Sequence, residues 1–198
     1  MVVCCHGRGG LSNNPTTSLL VVRPLTVAPY SLYGAAMKRS ALEARGFEGF
    51  LTTRELSAGR MKEVPVFPGI YVVVSCAIEE PSFLASSIGG HHKGKNPTVA
   101  VSMLESRWVA ATDVLYIGKA DQLRRRISQL CRYAAGEPIG HWGGRYLWQV
   151  AGSENFSIAW LPADDPFEAE RQLMEDFKVE FGCLPFANIQ GRRKLPGS

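Results

Sequence analysis

One carboxylate on an apolar helical face is the first residue here whose placement asks for chemistry. In "DDPFEAERQLMEDFKVEFG", Phe167, Leu173, Met174, Phe177 and Phe181 fall on one side of a helical wheel. Glu170 points the same way, and the other acids of the segment project elsewhere. A charge aimed unpaired at a protein interior costs several kcal/mol, so Glu170 calls for a cation. Either a buried arginine or a metal ion meets that need. Hard ions such as Mg²⁺ take oxygen ligands and are often held by one or two carboxylates plus water and phosphate. Three more residues belong with this one. Tyr71 heads the valines of "FPGIYVVV", Tyr116 stands in "VLYIGKA", and Arg126 follows ten residues later. Taken singly, a tyrosine in a strand needs no explanation beyond packing.

Regular elements must hold these groups. "GIYVVVSCAI" (69–78), entered through a Pro-Gly turn, reads as a strand, and "DVLYIGK" (113–119) as a second. "GRYLWQVA" (144–151) and "FSIAWLP" (156–162) read as further strand segments, being aromatic and β-branched. After the second strand, "ADQLRRRISQLCRYAAG" is a helix with Leu123, Ile127, Leu130 and Ala134 in one stripe and Gly136 as its stop. On its wheel Arg125 faces water. Arg126 lies about 60° from Leu123, at the stripe's edge, within reach of a cleft beside the core. The last helix opens with Asp165 as N-cap and Pro166 at its first position, and closes at Gly182.

Composition bounds the rest. The 198 residues, 45% hydrophobic and 20% charged, suit one globular domain plus attachments, with a core large enough to need no disulfides. Cys4, Cys5, Cys76, Cys131 and Cys183 make no C-x-x-C pair and no framework spacing, which points to a reduced, cytoplasmic setting. The longest apolar run has ten residues, short of the ~20 that span a bilayer, and "SLLVV" is broken by Arg23 and Pro24, a poor secretory signal. Residues 1–36 show no period and are expected to be a disordered leader; 37–66 read as a short helix and loop. Charge is uneven: residues 116–150 carry six cations against two acids, and 161–181 seven acids against two cations. Either the basic segment meets an anionic partner or the two segments compensate each other.

Taken together, Gly69-Ile70-Tyr71, Tyr116-Ile117-Gly118, Arg126, Glu170 and Asn188 in "PFANIQ" resemble the GIY-YIG nuclease family, over roughly residues 67–190. The resemblance implies a small α/β (α+β) domain with a central antiparallel three-stranded sheet flanked by helices. It implies hydrolysis of DNA phosphodiester bonds at a divalent ion, Mg²⁺ or Mn²⁺, bound by Glu170. Tyr71 then corresponds to the residue that activates the attacking water, and Tyr116 to one that positions water or phosphate. An ordinary tyrosine titrates near ~10, so a neighbouring cation, Lys119 or Arg126, has to favour the phenolate. Arg126 matches the phosphate clamp, a task for a permanently charged bidentate donor. Lys119 is expected at the phosphate or beside the base. Asn188 matches a supporting hydrogen-bonding residue, and His141 in "PIGHWGGRY" a variable site histidine or else a loop residue.

The departure from the family is a long insertion, 79–112, between the two tyrosine strands. Its Gly-rich loop with His91, His92, Lys93 and Lys95 either emerges near the cleft and contacts DNA or forms a disordered excursion; adjacent histidines without matching partners do not suggest zinc. The four tryptophans read as core, and the tail 191–198, with Arg192, Arg193 and Lys194, as a solvated basic end. Two functions remain: an endonuclease, with a homodimer as one route to cutting both strands, or a noncatalytic nucleic-acid-binding protein that retains the fold.

Overall fold

The computed structural model describes residues 37–75 and 80–189. The expected leader 1–36 and tail 191–198 lie outside the described residues, as do Cys4, Cys5 and Cys76. In chain order come α1 (Arg39–Ala44), β1 (Glu48–Thr52), α2 (Thr53–Ser57), β2 (Gly69–Val74), α3 (Val101–Glu105), β3 (Val114–Ala120), α4 (Leu123–Ala134), β4 (Ser157–Pro162) and α5 (Pro166–Phe181). Short 3₁₀ segments cover Arg60–Glu63, Trp142–Gln149 and Ser153–Asn155.

The strands form one antiparallel sheet in the order β1-β4-β2-β3. Four strands replace the three expected. The extra one, β1, comes from the segment read as helix and loop. It hid because it is short and bulged: its pairing with β4 slips between Gly49 and Leu51, and Phe50 takes a left-handed φ of 52°. "GRYLWQVA" is the second correction, a 3₁₀ stretch rather than a strand. Tyr146, Leu147, Trp148, Gln149 and Val150 are all buried in succession, whereas a half-covered strand hides only every second residue.

All six residues of β2 are buried, because it is hydrogen-bonded on both sides and covered on both faces. That geometry accounts for an unbroken apolar run instead of alternation. On one face Tyr71, Val73, Tyr116 and Ile158 pack with Leu56 of α2 and Leu123, Ile127 and Leu130 of α4. On the other, Ile70, Val72, Ile117 and Ala159 pack with Leu42 of α1 and Leu173 and Phe177 of α5. The Asp165 carboxylate accepts hydrogen bonds from the N–H groups of Phe167 and Glu168, and Gly182 ends α5 with a φ of 71°, as the caps predict. No described helix is long and apolar enough to cross a membrane.

From Glu80 onward the insertion is pinned down rather than looping free. Gln149, fully buried, donates its amide to the carbonyls of Leu84 (3.0 Å) and Val99 (2.8 Å) and accepts from the Val99 N–H (3.0 Å). Phe83 stacks on Phe186 and meets the edge of Trp108. A buried amide with both donors and its oxygen engaged fixes a loop firmly, since releasing it would strand several polar groups.

Candidate active site

The two tyrosines meet because of strand register. Tyr71 lies opposite Gly118, and Val73 opposite Tyr116, so Tyr71, Tyr116 and Gly118 share one face of the sheet. Their ring centroids are 5.9 Å apart. Gly118 makes the pairing possible: a Cβ there would come within 2.6 Å of Tyr71 Cζ and 2.8 Å of Tyr116 Cε1. Gly69 is needed for a similar reason, since a Cβ would lie 2.4 Å from the Leu161 carbonyl oxygen. Both motif glycines are therefore places where neighbouring atoms occupy the side-chain volume.

His141 joins the pair from the loop before the 3₁₀ stretch. Its Nε2 shares a 2.9 Å hydrogen bond with the Tyr71 hydroxyl, and its ring lies 5.8 Å from that of Tyr116. His141 is fully buried, and burial, helped by the Arg126 charge, pushes its pKa from 6.5 down to about 3. Its Nδ1 has no hydrogen-bond partner among the described residues. Burial also raises Tyr71 well above the usual tyrosine value; Tyr116 adds to the rise and Arg126 opposes it. Tyr116 is raised too, chiefly by burial, with Tyr71 and Arg126 pulling the other way. Arg126 thus favours the phenolates as expected, but desolvation outweighs it, and the tyrosines rest as neutral phenols. Lys119 lies opposite Ile70 and so projects from the other face of the sheet.

A pH dependence follows from His141. The unfolded ring binds a proton below about pH 6.5 and the folded ring only below about 3, so the unfolded state holds more protons in between. The group's stability contribution is complete above pH 6.5 and falls with decreasing pH by up to about 1.4 kcal/mol per unit. Thermal melts between pH 7 and 4 should show this slope, and His141→Gln should flatten it.

Lys119 and Glu170 come from the opposite face. Lys119, next to Gly118 on β3, points to the α5 side, where its ammonium binds the Glu170 carboxylate and sits 4.5 Å over the Phe167 ring. The cation that Glu170 requires is this lysine rather than an arginine. Three expectations for α5 are corrected. Glu170 does not enter the core but sits at its rim, its side chain 21% exposed. Phe167 is 66% exposed. Asp176 also turns inward, 10% exposed and paired with Arg45 at 3.0 Å. The first turn of α5 therefore lies at the margin of the core rather than over it.

Because β3 is the edge strand, groups from both faces reach a common cleft of about 400 Å³. Tyr116 and Arg126 line it from one side, Lys119, Phe167 and Glu170 from the other. Tyr71, wholly buried, stands behind Tyr116 and does not line the cleft. Arg126 is aimed by hydrogen bonds from Nη1 to Gln129 Oε1 and to the Gly140 carbonyl, each 3.1 Å. Gln129 went unnoticed in the sequence, although its spacing of three from Arg126 puts it on the same helical face. Arg125, exposed to solvent as expected, and Asp121 also line the cleft.

Asn188 caps the outer rail of β3 as a substitute strand. Its Oδ1 accepts from the Ile117 N–H (2.9 Å), and its Nδ2 donates to the Ile117 carbonyl (2.7 Å). Arg107, from the insertion, holds this segment by donating to the carbonyls of Phe186 and Asn188. Asn188→Ala would leave two buried backbone groups beside Tyr116 unpaired. Each costs about 1–3 kcal/mol, so the melting temperature should fall by many degrees, a loss scanning calorimetry would register.

Among the described residues no group of three or more His, Cys, Asp or Glu is placed to hold a metal. The cleft's carboxylates, Glu170 and Asp121, form an oxygen-only set. It suits a hard ion completed by water and phosphate and does not suit zinc. In comparisons with protein-family models, curated proteins and solved structures, nothing matches the chain.

Proposed function

We propose that this protein is an endonuclease of the GIY-YIG type that hydrolyses phosphodiester bonds in DNA with the help of a divalent ion, Mg²⁺ or Mn²⁺. The observation that carries the reading is the convergence of Tyr116, Arg126, Lys119 and Glu170 on one cleft, from three elements, with Tyr71 and His141 bonded together behind. Packing alone gives no reason to gather a hydroxyl, two cations and a carboxylate around an open cleft.

In this reading Arg126 grips the scissile phosphate and stabilises the charge that builds on it, held ready by Gln129 and Gly140. Tyr116, facing the cleft, orients the water, and the phenols relay its proton inward: the tyrosine pair accepts it as Tyr71 gives its own proton to the bare nitrogen of His141, which ends as the imidazolium. The neutral His141 ring has one bare nitrogen. When that is Nε2, the Tyr71 hydroxyl donates to it and leaves its own oxygen lone pairs free to accept. Glu170, with Asp121 nearby, would hold the ion, which supplies charge stabilisation to the leaving oxygen. Lys119 would let go of Glu170 on loading and turn its ammonium to phosphate. One cleft attacks one strand at a time, so double-strand cutting calls for a second copy or a second encounter. A reduced, cytoplasmic setting suits the reading.

The Lys119–Glu170 ion pair favours a second reading. It satisfies the carboxylate without a metal, as a noncatalytic DNA-binding relative would need. The two separate on supercoiled plasmid and a branched-DNA panel, incubated with Mg²⁺, Mn²⁺ or EDTA beside Glu170→Ala and Tyr71→Phe. Metal-dependent cutting lost in both variants supports the nuclease. Binding without cutting by wild type under every condition favours the binding protein.

A further inference from the structure

We propose that the His91–Lys95 hairpin of the insertion is a second contact for the phosphate backbone of a DNA duplex, beside the one in the cleft. The inference rests on DNA as the partner of that cleft. Lys93 and Gly94 have φ values of 52° and 71°, and His92 and Lys95 exchange backbone hydrogen bonds of 3.3 and 3.0 Å. These are the marks of a type I′ turn, which gives a two-residue hairpin a fixed register.

The hairpin is fastened at its root to the loop that aims Arg126. The Gly90 N–H donates to the Tyr133 carbonyl at the end of α4. Gly90 also packs so closely on Glu137 that a Cβ would lie 1.7 Å from its carbonyl oxygen. Further out, the His92 ring rests on Gly140: a Cβ there would be 3.6 Å from Cε1. The carbonyl of that same Gly140 receives Arg126. Directly paired residues of an antiparallel ribbon project to the same side. Lys95 therefore leaves the hairpin on the side of His92, toward the Gly140 loop.

His91, Lys93 and Lys95 are exposed, and none makes an ion pair among the described residues. Glu137, the acid at the root, is already bound to Arg132 at 2.6 Å. The result is an exposed basic tip, without an ion-pair partner among the described residues, set against the same Gly140 that receives Arg126. A duplex presents a phosphate about every 1.7 Å of axis, so a strand gripped at one phosphate by Arg126 offers others to a neighbouring lysine pair. Such contacts add affinity without reading sequence.

The test is equilibrium binding of wild type and the Lys93→Ala/Lys95→Ala double variant to a fluorescent duplex in EDTA, across a salt series, with plasmid cleavage in Mg²⁺ run in parallel. The double variant should bind more weakly at low salt, and its log K against log salt slope should shrink by about two, with an unchanged melting temperature. Lys93→Arg/Lys95→Arg should keep the wild-type slope. An unchanged slope in the alanine variant, with wild type cutting, overturns the hairpin contact and leaves the nuclease reading intact. A reduced slope without cutting by any form upholds the contact and removes the nuclease. Wild type with neither salt-dependent affinity for duplex nor cutting removes both, and would point the basic tip to an acidic protein surface instead.

Discussion

Tyr71→Phe should lower the single-turnover cleavage rate by about 10²–10⁴-fold, the range lost when a positioned proton acceptor is removed. The variant keeps the ring and takes away one oxygen. That oxygen is the partner of His141 Nε2 at 2.9 Å, and His141 Nδ1 has none among the described residues, so the variant leaves the buried imidazole without any side-chain bond. Loss of that bond should also reduce stability by about 1–3 kcal/mol. The two effects are separable. If Tyr71 only packs, melting temperature falls and the rate per folded molecule at 25 °C stays at the wild-type value. If the proton leaves through the tyrosine pair, the rate collapses well below the melting temperature. Tyr116→Phe, in the same assay, removes the hydroxyl that faces the cleft and should be at least as damaging.

Glu170→Ala should abolish Mg²⁺-dependent cutting, and here the decisive readout is binding of the ion rather than activity. In the structure Lys119 already occupies the Glu170 carboxylate, so an ion must compete with an ammonium. Removing the competitor should help loading. Lys119→Met should tighten Mn²⁺ binding, measured by electron paramagnetic resonance or calorimetry. Because the lysine also serves the phosphate in the proposed mechanism, the same variant should cut about 10²–10³-fold more slowly, the loss typical of one charge-stabilising donor. Tighter ion binding with slower cutting is a combination that a purely structural ion pair does not produce. Glu170→Ala should lose the Mn²⁺ signal, and the melting temperature should change little, since the pair is partly exposed and such pairs contribute about 0–1 kcal/mol.

How far these residues were legible in the sequence differs from one to the next. The caps of α5 were plain, because Asp165, Pro166 and Gly182 act through backbone groups within a few residues of themselves. The stripe of α4 was plain for the same reason, and with it Arg126 at the stripe's edge. His141 was ambiguous. Nothing within a few residues of it reports that it meets Tyr71 across 70 positions. Asn188 could be suspected but not understood, since its partner, Ile117, lies 71 residues away. β1 and the 3₁₀ stretch were misread: a bulged strand lacks alternation, and a run buried on every residue imitates a strand interior.

The sequence by itself determined α4 and α5 with their ends and the strands carrying both tyrosines. Each depends on spacing or caps within one element. Only the tertiary structure decided how their side chains meet, and it set Glu170 at the rim of the core rather than inside it. It put β3 at the sheet edge, where Tyr116 from one face and Glu170 from the other open onto one cleft. It chose Lys119 as the cation for Glu170, hid Tyr71 behind Tyr116, and let desolvation prevail over Arg126 in keeping the phenols neutral. Burial and charge proximity are set by distant parts of the chain folding together, and no local pattern of residue types encodes them.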